Sequence, residues 1–137
     1  MAAVTDDLNT WFRAQLDDNE RWALAASDGY PNWSATDDGT VCQDGTGGSG
    51  YLATGPWGSD LGDVGQHIAL HDPARVLADV EADRQLLDAY EAAIQPTDEH
   101  DPKVWGYRTG LEYAVRTRAQ AYVGNPGYRK EWQPWPR

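Results

Sequence analysis

Asp72-Pro73 constrains this chain more than any other dipeptide in it. An Asp at the N-cap accepts hydrogen bonds from the free amides of a helix's first turn. Proline at the first helical position lacks a donor that would go unpaired anyway, and it keeps the residue before it out of helical geometry. Behind Pro73, apolar residues recur as Val76, Leu77, Val80, Leu87, Tyr90 and Ile94. That 3.6-residue stripe predicts a helix ending near Gln95, because Pro96 cannot continue it. Val76, Leu77 and Val80 are expected to enter the core. Arg84 interrupts the stripe and is expected to snorkel or to pair with an acid at its edge. Arg75 lies in the first turn, where a cation opposes the helix dipole, so a partner outside its own helix is expected. Asp72, Pro73, Arg75 and Leu77 thus read first as a structural signature.

Upstream, Asp60 to His71 reads as a shorter helix, with Leu61, Val64, Ile68 and His71 on one face. His67 and His71 are four apart and therefore neighbours on it. No other spacing in the chain suggests metal chemistry. A zincin motif needs a glutamate directly after its first histidine, and that position is Ile68. A metal-dependent hydrolase would have to complete the site with Asp72 or the distant His100. The competing expectation is structural: His67 packs at the helix–helix corner, and His71 hydrogen-bonds backbone freed at Asp72-Pro73.

The run HIALHDPARVL, followed by a long charged helix, resembles a family of small proteins of unknown function from high-GC Gram-positive bacteria and their phages. That family's pattern is His-Ile-Ala-x-His/Asn-Asp-Pro-Ala-x-Val-Leu, then the charged helix, then a terminal Tyr-x-x-x-Trp. The last part is here Tyr128 to Trp132, YRKEW, preceded by NPG where the family often has HPD. The resemblance is loose over the N-terminal helix and covers most of the chain from about Trp57. It implies a fold and a setting, not a reaction, and the family's Asn at the position of His71 weakens a metal reading.

At 137 residues the chain has the length of a single domain. We expect one domain, divided into an N-terminal helix (1–29), a β-meander (30–58), a helical part (60–123) and an aromatic tail (124–137). Seven Trp and seven Tyr stand against one Phe, so large amphipathic rings carry much of the burial. Cys42 is alone and cannot form an internal disulfide; a free thiol is by default a small buried hydrophobe. With no apolar leader or spanning run, a cytoplasmic protein with no membrane contact is expected.

The net charge is −11, split unevenly. Residues 1–102 carry 20 acids and 4 bases, and residues 103–137 carry 2 acids and 7 bases. A basic final helix beside acidic ones accounts for this. The functional alternatives are an acidic surface for a basic partner, or an acidic mimic of DNA. Direct nucleic-acid binding by the acidic body is not expected, since phosphate contacts need Lys and Arg.

Thr5-Asp6-Asp7 opens a first helix, with Leu8, Trp11, Phe12, Leu16, Trp22 and Ala23 as its inner face, closed by Gly29 as a left-handed cap. Residues 33–36, 40–43 and 51–54 read as three short strands, with Asp38-Gly39 as a hairpin turn. Such a sheet needs a helix on one face; the first and third helices are expected to supply it. The loop DGTGGSG (44–50) lacks the lysine of a phosphate loop, and the acids at 37, 38 and 44 lack a calcium loop's closing glutamate.

After the polar connector 95–102, a last helix is expected from Pro102 to about Val123, with Val104, Leu111, Val115 and Tyr122 inward. Gly106 and Gly110 suggest close approach to another helix or to a ring such as Trp11, or else a kink. Beyond it, Tyr128, Arg129, Trp132 and Trp135 are candidate binding residues, since Trp, Tyr and Arg anchor interfaces; equally, the tail folds back over the core. No Ser–His–Asp or Cys–His constellation can be assembled, the paired acids sit in polar surroundings, and no cofactor is expected. The expected whole is an α+β domain dominated by helix: one helix, a three-stranded antiparallel meander, then three helices. The expected role is that of a non-enzymatic interaction or accessory protein, of phage or mobile-element type, binding or blocking a host protein.

Overall fold

The computed structural model describes residues 4–47, 50–56, 59–95 and 100–135. Among them, α1 (Val4–Ser27) is followed by β1 (Trp33–Ala35), β2 (Val41–Gln43) and β3 (Tyr51–Ala53). Then come α2 (Asp63–Leu70), α3 (Pro73–Ala93) and α4 (Pro102–Ala119), with single 3-10 turns at Gln120–Tyr122 and Lys130–Trp132. The fold is α+β, and 62% of the described residues are helical. No helix among the described residues is long and apolar enough to cross a membrane. The residues gather into two compact units: a central one, Asp18–Val80, and a terminal one made of Met1–Asp17 and Glu81–Arg137.

The central unit holds the sheet. Its strands lie in the order β1-β2-β3, all antiparallel, with Trp33 opposite Gln43 and Ala35 opposite Val41. A bulge shifts the register between Val41 and Cys42. The 36–40 turn closes on the Asp38 carboxylate, which accepts from the Thr36 hydroxyl and, at 3.0 Å, from the Thr40 amide. These donors hold the Asp38 carboxyl below its ordinary range, the Thr36 hydroxyl most of all. Gly39 has φ +83°, a conformation side chains rarely adopt.

The helix packed most closely on β1 and β2 is α2, not the first and third helices expected. Glycine is the reason. A Cβ on Gly65 would stand 1.7 Å from the Gly39 carbonyl oxygen, and one on Gly39 would stand 2.4 Å from the Gly62 nitrogen. The backbones of hairpin turn and helix therefore touch. The Gly62 amide donates to the Asp38 carbonyl at 2.9 Å, and the Gln66 side chain donates to the Thr36 carbonyl at 3.1 Å.

In the terminal unit, Leu8, Phe12, Leu16, Leu87, Tyr90, Val115, Ala119 and Trp132 are buried. Trp22, expected on the inner face of α1, is 66% exposed. Leu8, Phe12, Leu16 and Ala23 keep a 3.6-residue period, and Trp22 falls one residue, or about 100°, off it. On α3, Val80 is buried, while Val76 and Leu77 are only half-buried. Gly106 and Gly110 approach nothing: among the described residues, a Cβ on either would meet no atom within 4 Å, and α4 runs through both.

Sequence reasoning missed one buried charge. Asp83 lies on the inward stripe of α3 between Val80 and Leu87 and is 4% exposed. Arg118 of α4 meets it with two parallel bonds, 2.7 and 3.0 Å long. Arg84, which interrupts the stripe, pairs with an acid as expected, Asp17 at 2.7 Å.

Candidate functional site

Two regions hold the residues singled out above. The first is the junction of α2 and α3 in the central unit. Asp72 caps α3: its Oδ1 accepts the Arg75 amide at 2.9 Å, as an N-cap carboxylate should. Its Oδ2 accepts the Trp33 amide at 3.0 Å, and the Ala74 amide donates to the Pro31 carbonyl at 3.0 Å. The chain entering β1 is thus tied to the start of α3. Pro73 is buried there, and Leu77 is half-buried. Among the described residues Arg75 pairs within its own helix: its Nε lies 3.9 Å from Asp79 one turn on, with both side chains well exposed. An i,i+4 pair is the nearest carboxylate an outward-facing arginine can find.

His67 sits in the last turn of α2 and His71 at its C-cap. Their ring centroids are 4.4 Å apart, and both residues are exposed. His71 Nδ1 lies 3.0 Å from the carbonyl oxygen of His67. His71 also borders a cavity of about 210 Å³ with Trp22, Trp33, Pro73 and Val76. The Trp33 Nε1 is buried without a hydrogen-bond partner among the described residues. The structure brings His67 and His71 together, while both oxygens of Asp72, the next residue, accept backbone amides. His100 belongs to the terminal unit. Among the described residues, no three His, Cys, Asp or Glu side chains are grouped to hold a metal ion. Catalytic zinc sites have three protein ligands, and the arrangement offers two. Cys42 is half-buried, with its Sγ 3.9 Å from the Thr40 carbonyl.

The second region is the C-terminal segment of the terminal unit. Residues 124–127 turn sharply, with Gly127 at φ +87°, and the Pro126 carbonyl accepts from the Trp11 indole at 2.9 Å. Tyr128 and Trp132 pack edge-on at 5.8 Å, and each lies within 5.5 Å of the Trp11 ring. Trp132 is 2% exposed. Arg129 pairs with Asp7 at 3.1 Å and lies over the Trp132 ring. The Arg116 guanidinium donates to the Glu131 carbonyl at 2.8 Å and to Glu112 at 3.0 Å.

Trp135 emerges from this packing. It is 47% exposed, stacks nearly parallel on Tyr113 at 6.0 Å, and has the Arg116 guanidinium 5.6 Å from its ring centre. The two rings border a groove of about 410 Å³ with Thr117, Gln120, Gln133 and Pro134. Tyr113 and Arg116 were not singled out from the sequence. Their place, three residues apart on a helix that the tail crosses, is a tertiary fact.

No curated protein and no solved structure matches this chain. A family model does, over residues 5–134, which is nearly its whole length. The chain is a member of the family of unknown function DUF6221.

Proposed function

We propose that this chain is a non-catalytic protein-binding domain that docks a partner protein through Trp135 and Tyr113, which Arg116 supports from within. One observation carries the reading: a tryptophan and a tyrosine border one accessible groove, with an arginine guanidinium 5.6 Å from the tryptophan ring centre. These residue types dominate the hot spots of protein interfaces. Arg116 already holds the groove in place through Glu112 and the tail carbonyl, so little side-chain freedom is lost on binding. Tyr128, Arg129 and Trp132 serve as the anchors that present Trp135. The likeness of HIALHDPARVL to proteins of bacteria and their phages supports an accessory role, in which the partner is a host protein that is bound or blocked. Neighbouring genes of phage type would agree with that setting.

The test is a quantitative pull-down with the native chain, Trp135→Ala and Tyr113→Ala, each checked by thermal melt. A partner held by the native chain and lost with both variants, at unchanged melting temperature, supports the reading. A partner retained equally by all three overturns it.

A further inference from the structure

We propose that His67 and His71 form a two-imidazole site for a late first-row divalent cation such as zinc or nickel. The site belongs to the central unit and does not depend on the groove assigned to protein binding.

The hydrogen bond at His71 sets the chemistry. The carbonyl oxygen of His67 can only accept, so His71 Nδ1 carries the proton and donates. In the neutral ring Nε2 then keeps its lone pair. A metal-bound histidine characteristically donates its other ring N–H to a carbonyl or carboxylate, which fixes the tautomer and orients the ring. Here that outer contact is already made. The second imidazole stands with its centroid 4.4 Å away, and both residues are open to solvent.

The local field also favours a cation. His67 and His71 occupy the last turn and C-cap of α2, the end where a helix carries partial negative charge. The chain as a whole is strongly acidic. Imidazole donors suit zinc, copper and nickel rather than magnesium or calcium, which prefer oxygen. Asp72, next in the chain, spends both oxygens on the Trp33 and Arg75 amides and is not needed as a ligand. With two protein donors, water completes the coordination. That makes an open, exchangeable site rather than a closed structural one.

Untagged full-length protein titrated calorimetrically with zinc chloride should show one saturable site. His67→Ala and His71→Ala should each weaken it by about tenfold or more, because the loss of a ligand exceeds the loss of an outer-shell partner. Both side chains are exposed, and circular dichroism checks that the variants fold. A second measurement needs no variant: nickel(II) added to the native chain should broaden the ring-proton signals of His67 and His71 and leave those of His100 sharp. Absence of saturable zinc uptake, uptake that survives either substitution, or equal broadening at all three histidines would overturn the proposal.

Discussion

The carboxylate of Asp72 accepts the backbone amide of Trp33, 39 residues earlier in the chain, at 3.0 Å. The same carboxylate caps α3 through the Arg75 amide. One side chain therefore does the work of a helix cap and of a cross-link between the entry to the sheet and the start of a helix.

Asp101 gives the internal control. It opens α4 with the same Asp-Pro pair but, among the described residues, accepts only the nearby Lys103 amide at 2.9 Å. Asp101→Ala should cost about 1 kcal/mol, the usual loss of a cap. Asp72→Ala should cost roughly 1 kcal/mol more, since it also leaves the Trp33 amide unpaired. Denaturant melts of the two variants measure the difference. Equal losses would mean that the Trp33 contact contributes nothing.

Gly65→Ala should be among the most damaging single-methyl changes in the central unit. Its Cβ would stand 1.7 Å from the Gly39 carbonyl oxygen, and backbone on both sides must move. Overpacking of this kind costs about 1–3 kcal/mol or more. Gly106→Ala, where nothing lies within 4 Å among the described residues, should instead stabilise α4 by up to about 1 kcal/mol through helix propensity. Opposite shifts in the two thermal melts are the expected result.

Arg118→Ala strands the Asp83 carboxylate in a buried position. Breaking a buried pair costs about 3–5 kcal/mol, and the half-exposed arginine puts this one at or below the lower end. Replacing both partners, with Asp83→Leu and Arg118→Met, should recover most of that loss, because the buried charge goes with its partner. A double variant no more stable than Arg118→Ala would count against the argument.

Trp132→Ala should cost about 3–5 kcal/mol as a large core cavity. Trp135→Ala, at the exposed end of the same segment, should stay within about 1 kcal/mol of the native chain. The contrast separates the anchoring part of the tail from its presenting part.

Asp38 provides a pH-dependent test. Its folded carboxyl is held low by the Thr36 hydroxyl and the Thr40 amide. A depressed folded pKa contributes stability above the ordinary carboxylate range, and that contribution is lost as pH falls through the folded value. In Thr36→Val the largest of these donors is gone, so the Asp38 midpoint followed by carboxyl carbon NMR should move upward. No movement would show that the hydroxyl does not set it.

The local signals in this chain are covalent and short-ranged, and they were legible in sequence alone. Asp72-Pro73 and Asp101-Pro102 marked helix starts because cap geometry depends on neighbouring residues. Asp38-Gly39 marked a hairpin because only its own dihedrals decide the turn. The order of one helix, three strands and three helices followed from those signals and the hydrophobic period, and HIALHDPARVL carried the family resemblance. Which surfaces meet could not be read in the same way. Nothing local tells that Gly39, Gly62 and Gly65 touch, since a glycine's lack of a side chain acquires meaning only when another backbone arrives. Nothing beside Asp83 in the sequence marks it as buried, because its partner, Arg118, lies 35 residues on. Trp22 and Trp132 are the same residue type, yet one is exposed and the other buried. Helical phase and the path of the tail across α4 decided that difference, and the same path set Trp135 against Tyr113 and Arg116.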